Sequence, residues 1–315
     1  MTAPAWANRI VDTALEVSVA GSFSRIGIET RSRIADWSDI ADMTGKVVIV
    51  TGATSGIGNA AARAFSEAGA DVVIVGRDQG RLDDAAAAIG EVETALADLS
   101  DLDQARQFVS EFTASHDRLD VLVHNAGALV AEYRANPQGF EDTYASQVLS
   151  QHILTAGLLP LLQRSNGRVI TVSSGGMYSV GLDTDTVEMS EADFDGVRAY
   201  ALAKRAQVTL NEQWAQRFGD SVTFHAMHPG WADTPGVRTS LPTFHRITGP
   251  FLRSPEQGAD TIVWLGANPE AVASNGGFWH DRRPRSTTRL PTTRPDRDTA
   301  DMLWDQVCRQ TGVRP

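Results

Sequence analysis

With Cys308 as its single cysteine, the 315-residue chain can form no intrachain disulfide and no thiolate metal cluster. Such a chain suits a reducing compartment, and a cytoplasmic location is expected. Histidine is sparse too: the seven residues include no pair at the i, i+4 spacing of a helical zinc site, so no metal is expected. Positive charge is in deficit, with 28 Lys and Arg against 39 Asp and Glu and a net charge of −11. No basic surplus is available to neutralise phosphates, which disfavours nucleic acid as a partner. No apolar run approaches the roughly 18 residues of a spanning helix. Arg9, Asp12 and Glu16 interrupt the N-terminus too often for a secretory signal. What is present is ordinary globular composition, 42% hydrophobic and 21% charged, at a length that fits one large α/β domain.

From Lys46 to about His280, short β-branched runs alternate with helix-length segments: "KVVIVT", "DVVIVG", "VETALAD", "DVLVHNAG", "GRVITVSS", "VTFHAMHPG" and "GGFWH". The alternation predicts a three-layer αβα Rossmann-like, doubly wound sheet of about seven parallel strands, covered by helices on both faces. Residues 44–283 form this domain. Residues 1–43 form an N-terminal extension with a helix that presents Trp6, Ile10, Ala14 and Val17 on one side and stops at Gly21. That helix packs on its own domain or a neighbouring subunit, or it lies on a membrane surface or gates substrate. From Asp281 onward "DRRPRSTTRLPTTRPDRD" is rich in Pro, Thr and Arg, and residues 284–315 are expected as an extended surface tail.

Between the first strand and a helix-spaced segment, "VVIVTGATSGIGNAAARAF" places Gly52, Gly56 and Gly58. A turn this tight needs residues without Cβ, and the N-terminus of the following helix offers free N–H groups and partial positive charge to a pyrophosphate. The spacing is TGxxxGxG, not the common GxGxxG. Further along, "AYALAKRA" sets Tyr200 and Lys204 one helical turn apart, so the two side chains are neighbours. A free phenol titrates near 10, and a nearby ammonium favours its ionised form.

TGxxxGxG resembles the short-chain dehydrogenase/reductase family, and the later landmarks follow in that family's order. The resemblance implies a dinucleotide held by Thr51, Gly52, Ser55, Gly56, Ile57 and Gly58. It also implies an adenine contact through Asp98 and the N–H of Leu99, and an NAG box of Asn125, Ala126 and Gly127. His124 stands where the box has its first asparagine and is expected to be structural. The acid that selects NAD in relatives aligns with Gly76, followed by Arg77. This implies NADP(H) over NAD(H), since guanidinium pairs with a 2′-phosphate. The alternative is a solvated Arg77 with Asp78 on the ribose.

By the same resemblance Ser174 orients the substrate oxygen, Tyr200 moves its proton, and Lys204 tunes Tyr200 and holds the nicotinamide ribose. Gln147 aligns with a relay asparagine and is one methylene longer, which puts the relay in question. Pro229, Gly230, Trp231 and Thr234 match the loop that meets the nicotinamide carboxamide. The 26 positions from Ser174 to Tyr200 carry an insertion like that of retinol-dehydrogenase-like reductases.

The implied activity is NADP(H)-dependent interconversion of a carbonyl and an alcohol. A small, lipid-like substrate is suggested by Val237, Leu241, Phe244, Ile247, Phe251 and Leu252 near the site. A catalytically weak cofactor-binding sensor or scaffold is the alternative. A homo-oligomer paired through the helices of Tyr144 and Tyr200 is expected, with peripheral membrane contact open.

Overall fold

The computed structural model describes the backbone from Ala5 to Pro315 and the side chains from Asn8 onward. Among these residues, eight strands form one sheet in the order β3-β2-β1-β4-β5-β6-β7-β8. They are β1 (Val47–Thr51), β2 (Asp71–Gly76), β3 (Glu93–Leu96), β4 (Val121–His124), β5 (Arg168–Val172), β6 (Thr223–Met227), β7 (Phe278–His280) and β8 (Arg283–Arg285). The first seven pair in parallel, as the alternation predicts, and β8 adds an antiparallel edge to β7. Strand β1 is buried along its whole length, as parallel strands between two helical layers must be.

The helices are α1 (Ala5–Val17), α2 (Val19–Phe23), α3 (Arg25–Ala35), α4 (Gly56–Glu67), α5 (Gln79–Ile89), α6 (Leu102–Ser115), α7 (Asp142–Tyr144), α8 (Ser150–Ser165), α9 (Gly196–Phe218), α10 (Pro235–Ser240), α11 (Pro242–Thr248), α12 (Pro255–Ala267) and α13 (Arg297–Thr311). One apolar layer lies under α6, α8, α9 and α13, around Leu122, Leu158, Val169, Leu210 and Trp214. The other lies under α4, α5 and α12, around Val50, Phe65, Ile74 and Ile262.

Both termini depart from expectation. The first helix ends at Val17 and not at Gly21, which lies inside α2, and α3 follows. The Trp6 side chain lies outside the described residues, and Ile10 and Val17 of the apolar face of α1 do not pack on the chain's own domain: they are 61% and 81% exposed. The polar face docks instead. Asp12 and Glu16 bind the fully buried Arg31, Arg285 binds both carboxylates, and Arg289 binds Glu16. This face docks through charge pairing around the fully buried Arg31.

At the other end, residues 284–315 are not an extended tail. Asp296 caps α13 by accepting from the Thr299 N–H at 2.7 Å, and Leu303, Trp304, Val307 and Cys308 enter the α8–α9 layer. Trp304 meets Trp214 edge-on at 4.9 Å. Tyr144 Oη donates to Gln310 Oε1 at 2.8 Å. The α7–α9 face expected to pair with another subunit is therefore covered by the chain's own α13.

Candidate active site

The strand order reverses between β1 and β4, the place where open α/β sheets receive ligands. The glycine loop fills that opening. Gly52 and Gly56 take φ of 66° and 60°, a region closed to most side chains. A Cβ on Gly58 would lie 2.3 Å from Asn125 Nδ2 and 2.6 Å from the Gly52 carbonyl oxygen. Helix α4 starts at Gly56, directly after Ser55, with its first-turn N–H groups available to an anion. Ile57 packs against Gly258 of α12.

Asn125 and Thr51 hold the strand ends together. Asn125 Nδ2 donates to the Thr51 and Gly52 carbonyls at 2.9 and 3.1 Å, and Thr51 Oγ1 accepts from the Asn125 and Ala126 N–H groups, both at 3.0 Å. Burial pushes the His124 pKa down to about 3, and its Nε2 meets Thr155 Oγ1 at 2.8 Å. This histidine is a neutral interior residue.

At the tip of β2, Gly76 is hemmed in by Thr54, and Arg77 is exposed. Asp78 accepts from the Arg81 N–H at 2.9 Å as the N-cap of α5. Arg81 was missed by the sequence reading; its side chain reaches back to Ser55 Oγ at 3.2 Å. Its signal was its position at the start of α5, four residues beyond Arg77. Asp98 accepts from the N–H and Oγ of Ser100 at 3.0 and 2.9 Å, and Leu99 is buried behind it.

Ser174 follows β5 and caps the short turn Gly175–Ser179 by accepting from the Gly176 N–H at 3.2 Å. Ser173 instead donates to the Lys204 carbonyl at 3.0 Å, tying strand to helix. On α9, Lys204 Nζ donates to the Val172 carbonyl at 2.9 Å and stands 5.3 Å from the centre of the Tyr200 ring. The electrostatics differ from the expected lysine-lowered phenol. Burial pushes the Tyr200 pKa above its ordinary value, with the Ser174 hydroxyl opposing it, and burial draws Lys204 down to about 7. Within the polypeptide alone both groups are pressed toward neutrality.

Gln147 sits in the π-turn Ala145–Leu149 that joins α7 to α8, a local geometry frequent at functional sites. Its Nε2 donates to the Ala128 carbonyl at 3.0 Å, and its buried Oε1 has no partner. A Cβ on Gly127 would lie 2.8 Å from that oxygen, so the longer amide is folded against the NAG strand end. Gln207, also missed, donates to the Gln147 carbonyl at 2.8 Å. It follows Lys204 by one turn, a spacing that carries no distinctive sequence signal.

After β6, Thr234 caps α10 by accepting from the Val237 N–H at 3.2 Å, and its methyl lies across from Gly56. The Pro229 carbonyl accepts from Arg253 Nη1 at 3.2 Å. The Gly230 N–H donates to His228 Nδ1 at 3.1 Å, and the Trp231 N–H to the Phe23 carbonyl at 2.8 Å.

A dinucleotide suits these residues: a glycine cradle that any Cβ would fill, a helix N-terminus behind it, arginines at the β2 tip and an unpartnered amide oxygen on Gln147. Among the described residues no cluster of His, Cys, Asp or Glu could hold a metal ion, and no helix is long and apolar enough to cross a membrane.

Residues 46–243 match the family model described as short chain dehydrogenase. Dehydrogenase/reductase SDR family member 12 of Homo sapiens is 43% identical over 251 residues, covering 77% of this chain and 78% of that protein. Human retinol dehydrogenase 14 is 30% identical over 305 residues, 87% of this chain and 88% of its own length. The RhlG/NADP active-site complex of Pseudomonas aeruginosa superposes with a TM-score of 0.62 at 25% identity, over 75% of this chain and 94% of that one. With the glycine cradle at the sheet's switch point and Ser174, Tyr200 and Lys204 on the neighbouring strand and helix, the chain belongs to the short-chain dehydrogenase/reductase family, oxidoreductases that act on CH–OH groups with a nicotinamide cofactor.

Proposed function

We propose that the chain is an NADP(H)-dependent oxidoreductase that interconverts a carbonyl and an alcohol on a hydrophobic, lipid-like substrate. The observation that carries this reading is Lys204 packed beneath the Tyr200 ring with Ser174 beside the phenol, on the strand and helix that border the glycine loop. A bound nicotinamide would supply or accept the hydride. The Ser174 hydroxyl orients the substrate oxygen, and the Tyr200 phenol gives or takes the proton at that oxygen. Lys204 hydrogen-bonds the nicotinamide ribose while the Val172 carbonyl fixes its amine. Thr51, Gly52, Ser55, Gly56, Ile57 and Gly58 cradle the pyrophosphate, and Asp98 with Leu99 receives the adenine. Asn125, Ala126 and Gly127 flank the ribose, and Pro229, Gly230, Trp231 and Thr234 hold the carboxamide.

Preference for NADP(H) rests on Arg77 and Arg81. Asp78, the alternative ribose contact, is engaged in capping α5. The lipid-like substrate class rests on α10 and α11: Phe244 stands edge-on to Trp231 at 5.2 Å, and Ile247 and Phe251 are exposed nearby. On this reading the enzyme works in the cytoplasm, with Ile10 and Val17 available to a membrane surface. A homo-oligomer would use a face other than the one under α13.

Single-turnover oxidation of NADPH, followed by absorbance, with retinoid, steroid and fatty aldehydes and with small polar carbonyls tests the proposal. Turnover of the apolar series, abolished in Tyr200→Phe, is expected. Turnover of only the polar set would remove the substrate class, and cofactor binding without turnover of either set would remove the activity.

A further inference from the structure

Two loops border the proposed reaction centre, the turn after Ser174 and the loop Pro229–Trp231, and one residue of the N-terminal extension touches both. The Phe23 ring lies against Gly175, where an added Cβ would fall 2.6 Å from Phe23 Cε2. The same ring meets Trp231 edge-on at 5.9 Å and His228 at 4.3 Å. Its carbonyl accepts from the Trp231 N–H at 2.8 Å, and a Cβ on Gly230 would come within 2.7 Å of that carbonyl oxygen. Both loops thus carry a glycine where Phe23 approaches, leaving no space for another side chain.

Phe23 is held from behind. The buried Arg253 guanidinium donates to the carbonyls of Ser22, Phe23 and Pro229, and to Asp281. Arg253 also extends the loop's pairing: its N–H donates to the Trp231 carbonyl, and its carbonyl accepts from the Asp233 N–H, both at 2.8 Å. Arg31 of α3 pairs with Asp281 from the other side, at 2.6 Å. Extension and loop are therefore one hydrogen-bonded unit.

We infer that residues 5–35 form part of the active site and that Phe23 is a positioning residue, setting the separation between Ser174 and the loop that would present the nicotinamide. The inference rests on the hydride-transfer reading above. Displacing either loop by a fraction of an ångström misaligns the substrate oxygen and the transferring hydride, and misplacement of about 1 Å is enough for losses on the order of a hundredfold.

The test compares Phe23→Ala, Phe23→Leu, Gly175→Ala and the pair Gly175→Ala with Phe23→Leu in the full chain, assayed well below each variant's Tm. For Phe23→Ala we expect kcat to fall about tenfold or more, with Phe23→Leu intermediate. Amide hydrogen exchange across residues 228–234 should quicken in Phe23→Ala without cofactor, because the loop loses the ring packed against His228 and Trp231, although the backbone carbonyl of residue 23 remains as acceptor for the Trp231 N–H. Gly175→Ala should cost more turnover alone than when Phe23→Leu makes room for the new methyl. Wild-type kcat, KM and exchange in Phe23→Ala, with only a lower Tm, would overturn the inference and leave the proposed chemistry standing. A wild-type protein that binds NADPH but transfers no hydride would remove the chemistry and this inference together.

Discussion

Lys204 Nζ approaches the face of the Tyr200 ring, 5.3 Å from its centre, while its hydrogen bond goes to the Val172 carbonyl. The amine is thus placed to act on the phenol, yet burial presses each group toward its uncharged form. An oxidised nicotinamide would add a further positive charge beside the phenol and favour its ionised form. Ultraviolet titration of tyrosine ionisation should therefore show no Tyr200 phenolate below about pH 10 in the protein alone, and a lower value once NADP⁺ is added, with Tyr200→Phe as reference. Because NADP⁺ then favours the deprotonated phenol, its affinity should rise with pH through that transition. Ionisation of Tyr200 at neutral pH without cofactor would refute this division of labour.

Arg77 and Arg81 should divide recognition of the 2′-phosphate. Hydrogen bonds to charged groups contribute about 1.5–3 kcal/mol each, so Arg77→Ser or Arg81→Ser should weaken NADPH binding by about tenfold to a hundredfold. NADH binding should hardly change. Equal losses for both cofactors in fluorescence titrations would assign these arginines to general electrostatics.

The alternation of β-branched runs and the spacing of Gly52, Gly56 and Gly58 made the parallel sheet and the tight glycine turn before α4 legible, because local chain geometry dictates both. Tyr200 and Lys204 were legible for the same reason, as one turn of one helix. The termini were not. The stripe of Ile10, Ala14 and Val17 predicts an apolar contact, but Asp12 and Glu16 meet arginines from more than 250 residues away, a match no window of sequence contains. Proline and arginine before Asp296 mask the helix that follows, although Leu303, Trp304 and Val307 have helical spacing. Arg81 and Gln207 act through contacts across the fold, with Ser55 and with the Gln147 carbonyl.

Acid should loosen the N-terminal extension before the sheet. Burial opposes ionisation of Asp281, but His280, Arg253 and Arg31 outweigh it and hold its carboxyl well below the usual range; Asp12 is likewise held down, burial being overcome by Arg285 and Arg31. Their stabilisation is complete above the ordinary carboxylate pKa of about 4 and is lost as the pH falls toward the depressed values. Limited proteolysis between pH 7 and 2 should cut first within residues 5–35. Simultaneous loss of extension and core protection would contradict this order.

Helix α13 should keep the α8–α9 face from pairing. Truncating a buried tryptophan costs about 3–5 kcal/mol, so Trp304→Ala should lower denaturant stability by that amount. In the intact chain, chemical cross-links between copies should avoid α8 and α9. A dimer whose exchange protection falls on those helices would require α13 to have left.

The pairing of Arg31 with Asp281 spans 250 positions, so a growing chain cannot form it until Asp281 has been made. Contacts this distant in sequence slow folding. The glycine loop can take shape early, from neighbouring segments, whereas the wall built on Phe23 closes late. Chains broken off before Asp281 would therefore leave Arg31 and Arg253 without their shared carboxylate, and docking of the extension is tied to synthesis of the far edge of the sheet.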